Sequence, residues 1–430
     1  MPCTIDRLIG RRVWDSRGRP TVEVEMHSSA GHIGRSSAPA GASRGSNEAV
    51  DLRDGGPEFG GWGVNRAVAN VNGPISRALA GMDATDQSSI DQVLIEIDGT
   101  PDKASLGGNA TIATSMAALQ LAAASQGLPL WRYLAQGTQV SLPLPEIQVF
   151  GGGAHAGKRL DIQDLMVVPI GARSFDEALV MAAEVYRIAG ETMADMHRLA
   201  GVADEGGWWP LFDSNEEALE VLTRCIEKAG YGKGQVGISL DIAASQLGSN
   251  GRYRTNLDDR EYERDEWLEV LLGWVRRYPI LSVEDPFAED DLAGMQAFTA
   301  AVGDRIQVIG DDFLVTNAQR IISAAQQNAC NAVLLKPNQA GTITEMLNAL
   351  QAARDVGFGT IISARSGETE DVAIVHLAVG WNIGHLKVGS FARSERMAKW
   401  NEGLRIEEAL GAGARFAGCS ALPVKISSPE

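Results

Sequence analysis

The chain has little of what marks a metal–thiolate site, a disulfide-stapled domain or a nucleic-acid binder. Its four cysteines, Cys3, Cys225, Cys330 and Cys419, are scattered with no CxxC spacing, which excludes a zinc–thiolate motif and a disulfide framework and fits a reducing cytoplasm. Positive charge is scarce too. With 38 Lys and Arg against 55 Asp and Glu, the formal net charge is -17, so the clustered cations that nucleic acids and anionic membranes require are missing. The first twenty residues, MPCTIDRLIGRRVWDSRGRP, lack the apolar core of a signal peptide. The apolar stretch 110–125 is interrupted by Thr, Ser and Gln, which reads as a buried Ala-rich helix and not a membrane span. The glycine run Gly151-Gly152-Gly153-Ala154-His155-Ala156-Gly157 does not spell GxGxxG and precedes the strand-like DIQDLMVVPI. It reads as a mobile loop, not a dinucleotide cradle.

What is present is a folded globular chain of 430 residues, long enough for one small domain and one large barrel. Residues 6–37 alternate polar and apolar, as in TVEVEMHSS and GHIGRSS, with glycine-containing turns, and predict a small antiparallel sheet. Segments 65–81, 86–99 and 109–126 carry apolar residues at helical spacing. Residues 1–135 are therefore expected to form an α+β domain. The stretch GTQVSLPLPE marks the boundary, and a second domain is expected over 140–430.

Past that boundary, apolar runs of strand length alternate with turns and amphipathic helices. The runs are ISLDI, ILSVED, QVIGDD, AVLLKP, TIISARS and HLKVG. Their polar ends, Asp241, Glu284, Asp311, Lys336, Arg365 and Lys387, recur at intervals of 43, 27, 25, 29 and 22 residues, the length of a strand plus a crossover helix. Charge at the carboxyl end of each successive strand predicts an α/β barrel with its site on that face. A doubly wound open sheet shares the alternation, but its glycine fingerprint is absent.

One carboxylate at a strand end can simply cap the following helix. Three on successive strands would converge, and Asp241, Glu284 and Asp311 would repel one another unless a cation sat among them. With no His or Cys in the set, an all-oxygen site favours magnesium. The next strands end in Lys336, Arg365 and Lys387. Two ammoniums facing one cleft are expected to lower each other's pKa and give a base usable near neutral pH. VADEGGWWP adds Asp204 and Glu205, and HAGKRLDIQDLM adds His155, Gln163 and Asp164. A metal, a lysine base and a carboxylic acid suit removal of a proton beside a carboxylate with expulsion of a β-hydroxyl.

The motifs WDSRGRPTVEVE, GASRGS, LRDGG, AVANVNGPI, GGNATIA, ADEGG, SLDIAAS, VEDPF, GDDFLVTN, LLKPNQAGT, RSGETED, KVGS and RIEEALG resemble enolase (phosphopyruvate hydratase) in order over nearly the whole chain. The resemblance implies a ββαα(βα)6 barrel behind a smaller N-terminal domain, a homodimer or larger homo-oligomer, two magnesium ions and a small anionic phosphorylated substrate. It also implies the family's lysine-base chemistry, in which magnesium stabilises the carbanion. By the same resemblance Asp241, Glu284 and Asp311 hold the tighter magnesium, Lys336 is the base at C2, and Glu205 assists departure of the C3 hydroxyl. Lys387 holds the substrate carboxylate, Asp164 is a further active-site carboxylate, and Arg365 and Ser366 bind phosphate. Gln163 joins the substrate-binding set, and His155 sits on a loop that closes over the substrate.

Three positions depart from the family pattern. Ala40 stands where SGAS has its first serine, read as loss of a hydroxyl that helps hold the second magnesium. Asp164 stands where QEF has a longer carboxylate, and Ala364 where SHRSGE has a histidine. Together they resemble the enolase homologues of phosphonate and phosphinate antibiotic pathways, the carboxyphosphonoenolpyruvate synthases. That resemblance implies use of a phosphonoformate donor, with the small Ala364 making room for it. The alternatives are an ordinary enolase interconverting 2-phosphoglycerate and phosphoenolpyruvate, and a non-catalytic binding protein.

Overall fold

The computed structural model describes residues 3–424, so the first two residues of the expected N-terminal domain and the last six of the expected 140–430 domain lie outside the described residues. Alternation in the N-terminal text produces an antiparallel meander of β1 (Ile5–Trp14), β2 (Pro20–Ser28) and β3 (Ile33–Ser37). Val22, Val24 and Met26 of β2 are fully buried, and the sheet packs on the helix Gly108–Ser125. That helix is buried along nearly its whole length, as its small side chains allow. Among the described residues no helix is long and apolar enough to cross a membrane. Segment 65–79 is helical as expected, but it opens into a π-turn over Val71–Ile75. Pro74 lies inside that turn, where its missing N–H breaks the regular ladder.

The second part is a closed barrel of eight strands. They are β4 (Leu144–Gly151), β5 (Asp164–Val168), β6 (Gly237–Asp241), β7 (Ile280–Glu284), β8 (Gln307–Gly310), β9 (Ala332–Leu335), β10 (Gly359–Ser363) and β11 (His385–Gly389). β11 pairs with β4 and shuts the ring. Two helices, Phe175–Asp195 and Asn215–Lys228, separate β5 from β6, and each later strand is followed by one helix of the outer ring. The order is ββαα(βα)6. β5 runs antiparallel to both neighbours, and its pairing sets Asp164 opposite Asp241. The first residue of β5 therefore shares the rim with the last residues of the other strands.

Side chains two apart on a strand share a face, so the residues beneath the rim can be read off the register. Ile309, Ala332, Leu334 and Ile361 form one apolar half of the interior. The other half is polar, with Glu146, Ser239, Ser282 and His385 all buried. Leu144, Val168, Ile170 and Leu422 close the far end.

The two parts meet through polar contacts at a helix start. Ser115 Oγ accepts the Ile343 N–H at 3.0 Å, and buried Asp91 accepts the Thr344 N–H at 2.8 Å. Within the N-terminal domain β3 packs closely on the helix Gly108–Ser125 at Gly34, where an added Cβ would lie 2.2 Å from the Ala117 carbonyl oxygen and 2.3 Å from the Leu121 nitrogen. Because backbone would have to yield, Gly34→Ala is expected to cost about 3 kcal/mol of stability. Urea denaturation of the two proteins checks this.

Candidate active site

The polar strand ends do converge. Lys387 Nζ lies 2.8 Å from Glu284 Oε2, 3.0 Å from Asp241 Oδ2 and 3.4 Å from Asp164 Oδ2. Lys336 Nζ donates to Asp311 Oδ2, and Gln339 Nε2 donates to Asp311 Oδ1 at 2.9 Å. Gln163 donates to Asp241 at 2.9 Å. Asp241, Glu284 and Asp311 are thus not the unpaired anions expected from sequence. Each is held by a rim lysine, because a buried carboxylate without a partner costs several kcal/mol.

A second group lies across the same cleft. His155 Nδ1 is 3.1 Å from Asp164 Oδ1, while its Nε2 is 3.0 Å from Ser366 Oγ and 3.7 Å from Glu205 Oε1. Arg365 reaches Glu48 at 3.0 Å and 3.2 Å, Asn338 Oδ1 at 3.0 Å and the Ser43 carbonyl at 3.0 Å. Lys336, Lys387, Glu205, Ala364, Arg365 and Ser366 line this narrow buried cleft together. A larger surface hollow beside the hairpin strands Arg252–Thr255 and Arg260–Glu263 brings together no comparable set.

Charge crowding sets the protonation states. Burial alone would lower the Lys336 pKa, but Asp311 overcomes it and raises the pKa above the usual lysine value, against the opposing push of Arg365. Lys387 is raised further, with Asp241, Glu284 and Asp164 outweighing burial. The expectation that two facing ammoniums depress each other is therefore corrected: the surrounding carboxylates outweigh the mutual repulsion. Burial would likewise lower the His155 pKa, yet Glu205 and Asp164 lift it to about 9. Burial and then Asp241 push the Glu284 carboxyl well above the usual range.

Several contributors were not legible in the sequence. Gln148 donates to Asp164 Oδ1 and accepts the Gly207 N–H at 2.8 Å, so it braces two walls at once. Glu48 fixes Arg365 from the N-terminal domain. Ala40 bridges to Gly367 through its backbone, and its carbonyl accepts from Arg17 at 2.8 Å. Ser43, at the other end of the same loop motif, lines the cleft where Ala40 does not. Asp204 spends its N–H on the His155 carbonyl and is not part of the lining.

Comparison with known proteins adds to this geometry. Residues 5–134 match the family described as "Enolase, N-terminal domain" and residues 139–424 match "Enolase, C-terminal TIM barrel domain". The chain belongs to the enolase family. It is 48% identical over 410 residues to "Enolase 1" of Desulfitobacterium hafniense (strain Y51), covering 94% of each chain.

Enolases are magnesium-dependent, and the cleft suits a hard cation. Its donors are carboxylate oxygens, and Glu284 Oε1 is buried with no hydrogen-bond partner among the described residues. Two tight acidic groups flank the cleft: His155 with Asp164 and Glu205, and Asp285 with Asp311 and Asp312. The first is a poor metal site at neutral pH, since a protonated imidazole has no lone pair to give. In the second, Asp285 is occupied, accepting the N–H groups of Asp311 at 2.9 Å and Asp312 at 2.7 Å.

The His155 shift predicts a pH dependence. A folded pKa of about 9 against an ordinary 6.5 adds stability that is fully present below pH 6.5 and lost as pH rises through 9. The stability difference between wild type and His155→Gln should shrink by up to about 3 kcal/mol over that window. Denaturant titrations at pH 6 and 9.5 measure it.

Proposed function

We propose that this enolase-family protein interconverts 2-phosphoglycerate and phosphoenolpyruvate. The reading is carried by the meeting of Lys336, Lys387, Glu205 and Arg365 in one buried cleft, where the two lysines reach Asp241, Glu284 and Asp311. Asp241, Glu284 and Asp311 would hold the magnesium, which would neutralise the substrate carboxylate and the charge that grows on it as the C2 proton leaves. Arg365 and Ser366 would hold the phosphate and Lys387 the carboxylate, leaving Lys336 to take the proton from C2. With Asp311 committed as a ligand, Lys336 loses its main anionic partner and keeps Arg365 beside it, which moves its pKa toward the working range. Glu205 would assist departure of the C3 hydroxyl, with the adjacent His155 imidazolium supplying the proton. The C2–H and C3–O bonds break, a C2=C3 double bond forms, and water leaves.

A second reading, a synthase using a phosphonoformate donor, is favoured by two observations only. Ala364 puts a methyl group on the cleft wall, and Asp164 is drawn back to His155 and Gln148. The third motivation, Ala40, lies outside the cleft lining. The extent of the match to "Enolase 1" supports the first reading. We also infer a homo-oligomer in the cytoplasm; exposed Trp14 and Phe59, stacked edge to face on the N-terminal domain, support a self-contact, and the absence of disulfides among the described residues supports a reducing compartment.

Proton and phosphorus NMR of 2-phosphoglycerate in heavy water with enzyme and magnesium tests the choice. Phosphoenolpyruvate should appear without any donor. A new phosphorus signal only with phosphonoformate would establish the synthase, and C2 exchange at background would return the binding-protein reading. In the same assay Lys336→Met should slow C2 exchange by roughly a thousandfold.

A further inference from the structure

Beneath the rim lies a buried His–Glu pair that the proposed reaction does not use. Glu146 on β4 and His385 on β11 are both fully buried, with His385 Nδ1 3.1 Å from Glu146 Oε1. Neither carboxylate oxygen and neither ring nitrogen has an aligned hydrogen-bond partner among the described residues. The contact between the two side chains is thus made without an aligned hydrogen bond. Its location gives it meaning: His385 is two residues before Lys387 on the same strand, and Glu146 is the residue opposite Lys387 in the β4–β11 register. All three consequently face the barrel interior.

Lys387 is flexible, cationic and already shared among three carboxylates. A fourth, directly across the strand pair and without a partner of its own, would compete for the ammonium and draw it down from the rim. When Asp241 and Glu284 turn to a cation, that competition would be strongest.

We infer that His385 is a positioning residue: by occupying the Glu146 carboxylate it keeps the Lys387 ammonium in the cleft, where the substrate carboxylate binds. The inference rests on the proposed role of Lys387, so its test includes a readout that needs no turnover. Carbamoylation of Lys387 by cyanate, followed by peptide mass spectrometry, reports how available its amine is. In His385→Gln, Glu146 is freed, and a Lys387 amine drawn down from the cleft should be labelled roughly tenfold more slowly. The double variant Glu146→Gln/His385→Gln removes the competing charge and should restore labelling to the wild-type rate.

If the wild type turns over 2-phosphoglycerate, KM should rise and kcat fall together by roughly a hundredfold in His385→Gln, as for a misplaced binding group, and recover in the double variant. Both are measured at a temperature where every variant is folded, so a purely structural role would move melting temperature but not these values. Unchanged labelling in His385→Gln, or a double variant as impaired as the single, would overturn the inference. Should His385→Gln fail to fold, His385→Lys, which places an ammonium against Glu146, and the double variant decide alone: both must label as wild type, and a roughly tenfold loss in either defeats the idea. Failed turnover with intact labelling behaviour would count against the proposed reaction and not against this pair.

Discussion

Carboxylates crowded at the mouth of the barrel are the constraint around which the rest is arranged. Asp164, Asp241, Glu284 and Asp311 are brought together by strand geometry, and their repulsion in a buried setting must be cancelled within a few ångströms. Lys336 and Lys387 do this in the structure. In the proposed reaction Asp241, Glu284 and Asp311 would turn to magnesium instead, and the lysine amines that neutralise them would be released as the site is loaded.

Much of this was legible beforehand, and the reasons are specific. The six strands β6 to β11 announce themselves because each is an apolar run ending in a charge at crossover spacing, so a barrel and its rim follow from periodicity. Asp164 escaped that logic: β5 runs backwards, and its rim residue comes at its start. Only the family resemblance placed it. Glu48 and Gln148 carry no local signal, since a Glu and a Gln in ordinary sequence become site residues only when distant chain segments meet, whereas Ser43 lay in the motif GASRGS and was passed over for Ala40. The sign of the lysine shifts was misread because sequence shows which charges are near in the chain but not how many lie near in space.

The N-terminal domain takes part in the site. It sends Ser43 to the cleft lining and Glu48 to the guanidinium of Arg365, while its helix Gly108–Ser125 and Asp91 anchor the start of the barrel helix Ile343–Asp355. The loop after β3 and the barrel thus meet at one cleft. A change in how they dock would be felt at Arg365 before it was felt in either core.

The link between β4 and β5 has a different kind of consequence. Six of the barrel's connections carry a packed helix whose length is tied to the strands it joins, but residues 152–163 join two antiparallel neighbours directly and include His155. Insertions or deletions there need not re-register any strand or displace any outer helix. The segment that bears the histidine is accordingly the part of this architecture that can diverge in length at least cost to closure of the ring, and a lineage adapting to a bulkier or smaller acid could remodel it first.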